Sequence, residues 1–264
     1  MIRSLYTAST GMYAQQLNVD NIAHNMSNVN TNGFKKSRVE FQDLLYQTIR
    51  QPAQAANSDT IPPTGIIVGL GVKPSAIYSV YSQGNMINTN LPTDVAIAGD
   101  GFFQVEVPGY PEPVYSRDGA IKIDAQGNMT TADGYKYLGA EQLPQGSYDI
   151  AIHKDGKITY RTAEDPNTVL EGGQLILSKF MNPAGLEKLG TNLFNRSANS
   201  GEPVEWDPES DASTHLEAGY LEGSNVQIVE EMVNLITAQR AYDTNSKVIQ
   251  ASDEMLQTAV SLRR

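Results

Sequence analysis

With 264 residues and 28.7 kDa, the chain has room for one or two domains of ordinary size. Its 19 Lys and Arg against 30 Asp and Glu leave a net charge of −11, which argues against nucleic acid or an anionic membrane as the main partner, because phosphate binding needs a basic face that releases counterions. Cysteine is absent, so disulfides, thiolate catalysis and Cys-ligated metals are excluded together. The 22 Gly and 13 Pro are a proportion that suits turn-rich β structure rather than disorder.

The first thirty residues carry a seam. Leu5, Ala8, Met12, Gln15, Val19, Ile22, Met26 and Val29 alternate steps of three and four, the 3.5-residue period of a helix that packs along a coiled-coil stripe. The opposite face is Thr, Ser, Asn and Gln rather than Lys and Glu, which suggests that it packs too. The helix is expected to stop near Asn30-Thr31-Asn32-Gly33, where Asn and Gly accept the left-handed conformation. Behind the single basic residue Arg3 there is no apolar run, so no cleaved secretory signal is expected. No segment approaches the ~18 apolar residues of a spanning helix, and direct membrane insertion is not expected.

Residues 33–65 read as an extended connector arm. Phe41, Leu44, Leu45 and Ile49 form an apolar set that suits a short helix or an extended arm, and Gln51 to Pro63 is polar with three prolines. Residues 66–222 carry short alternating strands and tight turns, such as Tyr148 to His153. Asp118-Gly119, Asp133-Gly134 and Asp155-Gly156 are hairpin signals, and Gln126-Gly127-Asn128 is a further turn. An inserted antiparallel all-β domain is the expectation.

Residues 223–264 mirror the start. Ile228, Met232, Leu235, Gln239, Tyr242, Ser246, Ile249, Asp253, Leu256 and Val260 again step by four and three, with no Gly or Pro from Ser224 onward. Ser224 is the expected cap, and Glu230 and Glu231 favour the positive end of the helix dipole. The fold class is therefore α+β: a helix at 1–32 and one at 223–264, paired as a coiled coil. Two such helices alone bury too little to be stable, so their remaining apolar surface needs other chains. Polar seam residues Gln15, Gln239 and Asp253 would set register.

Catalytic and cofactor patterns are missing. His24, His153 and His215 have no partner at i+3 or i+4 for zinc ligation, and neither GxSxG nor a phosphate-binding GxxxxGK[ST] occurs. Gly69-Leu70-Gly71 begins like a dinucleotide loop, but Pro74 stands where its third glycine belongs. Asp207, Glu209, Asp211 and Glu217 read as a solvated acidic loop anchored by Trp206. No cofactor and no metal are expected.

Four motifs in order carry a family resemblance. Ile22 to Lys35, Asp94 to Val105, Tyr115 to Gly119, and Ser224 through Leu256 resemble the signatures of bacterial flagellar rod and hook proteins, essentially end to end. Hook members usually carry a further outer domain, and proximal rod members have a smaller middle. Phe41 to Pro52 followed by Gly65 to Pro74 is similar to the segment of distal rod members. The resemblance implies a structural subunit without catalysis, exported through the flagellar type III apparatus. It would polymerise helically with itself, with proximal rod and hook proteins at its ends, and with an outer ring bushing and an assembly cap as further candidates. The implied location is the basal-body rod outside the inner membrane. Alternatives are another rod or hook-type protein, or a monomeric β-domain adhesin or carbohydrate binder.

Overall fold

A computed structural model describes residues 2–50, 65–163, 168–211 and 213–262. They fall into two units, one of residues 1–26, 37–78 and 227–264, the other of residues 27–36 and 79–226.

The helical periods are realised in the first unit. Helix α1 spans Ile2–Ser27 and helix α2 spans Ile228–Ser261, a 34-residue element that is about 51 Å long at 1.5 Å per residue. They touch side by side. The hydroxyls of Ser4 and Ser252 lie 3.4 Å apart, and a Cβ placed on Gly11 would come within 2.9 Å of Asn245 Nδ2. Seven residues forward in α1 thus match seven residues back in α2, so the two run antiparallel where they meet.

Ser224 does not cap α2. The N-cap is Gln227, which makes no side-chain capping bond. The reason is local: Ser224 Oγ accepts from the Val226 N–H at 3.3 Å, and the flanking Gly223 and Asn225 N–H groups are taken by the carbonyls of Asn85 and Phe34. The helix can begin only after those bonds end. Glu230 and Glu231 do sit in its first turn.

The described connector carries two strands, at residues 37–43 and 47–50. Strand β1 (Ser37–Asp43) pairs with β4 (Val72–Ser79), and β2 (Gln47–Arg50) pairs antiparallel with β3 (Ile66–Val68), Thr48 facing Ile67. The polar stretch Gln51 to Pro63 lies outside the described residues.

The second unit is built from antiparallel pairs. It opens with β5 (Met86–Asn88), β6 (Val95–Ala98), β7 (Phe102–Glu106), β8 (Val114–Ser116), β9 (Lys122–Ile123), β10 (Met129–Thr130) and β11 (Lys136–Tyr137). It continues with β12 (Ser147–Ile152), β13 (Lys157–Thr162), β14 (Leu170–Gln174), β15 (Leu177–Lys179), β16 (Glu187–Gly190), β17 (Leu193–Asn195), β18 (Val204–Glu205), β19 (His215–Ala218) and β20 (Tyr220–Glu222). The largest sheet runs β16-β17-β8-β7-β11-β10-β9, with β15 also on β7 and β18 on β15; β12-β13-β14 form a second sheet.

Three turn signals join paired strands: Gln126-Gly127-Asn128 (β9 to β10), Asp133-Gly134 (β10 to β11) and Asp155-Gly156 (β12 to β13). Asp118-Gly119 does not, because β8 pairs with β7 and β17 while β9 pairs with β10. Its residues are taken elsewhere: the Gly119 carbonyl accepts from Val95 N–H at 3.0 Å. Val95, Phe103, Val105, Ile121, Met129, Ile158, Leu177, Leu216 and Trp206 close one apolar core. Phe102, Tyr115, Phe180 and Phe194, stacked edge to face, close another.

Candidate assembly surface

Burial divides the seams. Within α1 the buried residues are Ala8, Ala14, Ile22 and Asn25; within α2 they are Glu231, Ala238 and Ser252. These are mostly small or polar side chains, which let backbones approach closely. Of the seam residues, Leu5, Met12, Val19, Met26 and Val29 are half-buried, as are Leu235, Ile249 and Leu256. Ile228, Met232, Gln239, Tyr242 and Val260 are exposed. So are Val229, Val233 and Ile236, with Val229 at 76% and Val260 at 71%. Apolar surface along one long helix therefore faces solvent in the single chain, more than scattered exposed residues account for.

The connector shows the same imbalance. Phe41, Leu45 and Ile49 are exposed, Leu45 at 86%, while Leu44 is half-buried. Ile66 and Ile67 on the paired strand β3 are exposed too. A two-stranded ribbon with this much apolar surface is marginal by itself.

One site escaped the sequence reading. In the β unit, Glu222 at the end of β20 faces Lys35 and Arg117. Its Oε1 accepts from Lys35 Nζ at 2.6 Å and from the Gly84 N–H at 2.9 Å, and its Oε2 lies 3.4 Å from Arg117 Nη1. Its backbone carbonyl accepts from the Gly33 N–H at 2.7 Å. Lys35 Nζ also donates to the Ser82 carbonyl at 2.8 Å. Arg117 donates from Nε to the Gly101 carbonyl and from Nη2 to the Gly99 carbonyl, with its guanidinium 5.7 Å from the centre of the Phe102 ring.

All three ionic side chains are buried. Burial, aided by the neighbouring Arg117 charge and opposed by Glu222, pushes the Lys35 ammonium down to about 8. Burial lowers Arg117 as well.

Close backbone approach makes the site possible. Gly33 holds φ +67°, and a Cβ there would lie 2.8 Å from the Arg117 carbonyl. At Gly84 a Cβ would come within 2.0 Å of the Gly223 carbonyl oxygen. Beside them Asn225 accepts the Lys36 N–H at 2.7 Å and donates to the Val80 carbonyl at 2.8 Å. The motifs around residues 30–35, 115–119 and 222–226 thus converge on one point. No local signal distinguished these three: Lys36 stands beside Lys35 and Asp118 beside Arg117, so the sequence does not say which charges are buried.

In the acidic loop Asp207 and Glu209 are exposed, while Asp211 and Glu217 are held by neighbours. Asp211 pairs with Lys179, whose hydrogen bond holds its carboxyl down to about 2. Trp206 is buried and donates Nε1–H to the Asp211 carbonyl at 3.3 Å. Glu217 meets Lys154 at 3.1 Å and His215 at 3.2 Å. Among the described residues no helix is long and apolar enough to cross a membrane, and no three His, Asp or Glu side chains stand as a metal cluster.

Terminal helices with uncovered apolar faces, together with an antiparallel β unit and no catalytic constellation among the described residues, give the plan of a structural subunit. Known proteins are similar to it in sequence over the whole chain. Residues 5–35 match the family described as flagella basal body rod protein, residues 96–160 the D1 domain of flagellar hook protein FlgE/F/G, and residues 217–262 the flagellar basal body rod FlgEFG protein C-terminal region. The chain is 47% identical over 266 residues to the flagellar basal-body rod protein FlgG of Borreliella burgdorferi, covering 100% of both. It is 45% identical over 255 residues to FlgG of Agrobacterium fabrum, covering 96% of this chain and 97% of that one, and 38% identical over 269 residues to FlgG of Bacillus subtilis, covering 100% of both. The chain belongs to the FlgG family of flagellar basal-body rod proteins. It is a structural rod subunit and not an enzyme.

Proposed function

We propose that this subunit builds the distal rod, stacking helically on copies of itself into a stiff hollow shaft that carries motor torque to the hook and passes exported subunits. The observation that carries this is the uncovered apolar face of α2, from Val229 through Ile236 to Val260. In the shaft, α1 and α2 pair as a coiled coil and offer Leu5, Met12, Val19, Ile22, Met26, Val29, Ile228, Met232, Leu235, Gln239, Tyr242, Ile249, Leu256 and Val260 to each other and to neighbouring copies. Non-closing contacts of this kind generate filaments. Proximal rod proteins and the hook protein adjoin the two ends, an outer ring serves as bushing, and the type III export apparatus delivers the chain.

The connector supports a stiff rather than a bending tube. Seating Phe41, Leu44, Leu45 and Ile49 in neighbouring subunits would contribute roughly 1.5–3 kcal/mol for each fully buried side chain and oppose sliding between layers. Electron microscopy of basal bodies from cells lacking this chain tests the assignment. Short rods without distal segment or hook are expected; complete rods bearing hooks would overturn it.

A further inference from the structure

The β unit and the helical unit exchange the chain at 26/27, 36/37, 78/79 and 226/227. The segments just inside three of these crossings, residues 33–36, 80–84 and 222–225, meet at the Glu222 site. Each is held by the others: Gly33 and Lys35 by Glu222, Lys36 by Asn225, Val80 by Lys36, and Gly84 by Glu222. None of these bonds belongs to the large sheet. The site depends on charge, because removing one partner leaves the others buried and uncompensated.

We propose that the buried Lys35–Glu222–Arg117 cluster is a clasp that locks these three segments into one cooperative unit, so that they open and close together while the sheet stays folded. Arg117 acts from the sheet side, its guanidinium fixed by the Gly99 and Gly101 carbonyls before it reaches Glu222. Lys35 acts from the segment that follows α1. The hypothesis concerns one subunit and stands or falls apart from the rod assignment.

Native-state hydrogen exchange on the full chain in low denaturant tests it. The amides of Gly33, Lys36, Val80 and Gly84 are expected to share one opening equilibrium, distinct from that of Gln104 and Leu138 inside the sheet. Glu222→Gln, which keeps shape but removes charge, is expected to speed exchange at all four amides at least tenfold and leave the sheet amides unchanged. The idea is overturned if the wild-type amides open independently, or only together with the sheet. It also fails if Glu222→Gln affects one segment alone or unfolds the whole unit.

Discussion

Asn25 and Ser37 are joined in both directions: Oδ1 of Asn25 accepts the Ser37 N–H at 2.8 Å, and Nδ2 donates to the Ser37 carbonyl at 2.9 Å. The carboxamide thus treats the first residue of β1 as a neighbouring strand would. Because Asn25 is buried, Asn25→Ala leaves a backbone donor without its partner and is expected to destabilise the helical unit by about 2 kcal/mol. Chemical denaturation measures this, and faster amide exchange at Ser37 locates it. A loss below about 0.5 kcal/mol would show that water replaces the carboxamide at little cost.

Lys35 makes a signed pH statement. Its folded-state value, about 8, lies below the ordinary 10.5, so between these limits the unfolded chain holds a proton that the folded chain has released. Stability therefore rises with pH across this window, by up to about 1.4 kcal/mol per unit from this group. Below about 8 the group adds no slope. Denaturation at pH 7.5 and pH 10 should show the rise in wild type, and Lys35→Met should remove it. Equal slopes in both proteins contradict the assignment.

Asp211 behaves in the opposite sense. Held down to about 2 chiefly by the hydrogen bond from Lys179, it contributes stability above the ordinary carboxylate value and loses it as pH falls toward 2. Carbon-detected NMR titration should find its midpoint near 2. Lys179→Met should move that midpoint up toward the ordinary value of 3.8. An unmoved midpoint would leave Ser213 as the sole cause.

Leu235 is a half-buried residue in the helix interior of α2, among exposed neighbours. Leu235→Pro removes a helical hydrogen bond and clashes with the preceding turn, costing ~3 kcal/mol or more. The expected result is a folded β unit, shown by unchanged near-ultraviolet dichroism, in a subunit that forms no rods. Normal swimming of a strain with only this variant would be the contrary result.

The connector is best tested by point changes. Removing residues 40–63 would also delete half of β1 and its pairing with β4, so a soft rod would have two explanations. Leu45→Ser with Ile49→Ser changes only exposed side chains. Monomer stability should stay within about 0.5 kcal/mol of wild type. Isolated rods should bend more under microscopy; rods as straight as wild type would reduce the segment to a linker.

The amino-acid sequence by itself determined the two helices, the β character between them and the family, because each rests on local information. Apolar period decides helix or strand, Asp-Gly pairs decide most hairpins, and short motifs are read in place. The boundaries were less legible. Ser224 has the right chemistry for a cap, yet neighbours far along the chain hold residues 222–226 in another conformation. Asp118-Gly119 has a hairpin's residues, yet Val95 claims its carbonyl.

Tertiary structure alone decided which helix residues face each other and where charge is buried. Large apolar side chains mark the seams in sequence, and among the points where α1 touches α2 are Ser4 with Ser252 and Gly11 with Asn245, which carry little apolar signal. Lys35 and Glu222 stand 187 residues apart. No periodicity spans such a distance. Charged side chains are ordinarily solvated, so nothing local marks these two as buried partners. Their pairing exists because Gly33 lies against the Arg117 carbonyl and Gly84 against the Gly223 carbonyl closer than any Cβ would allow, and that closeness is a property of the folded chain.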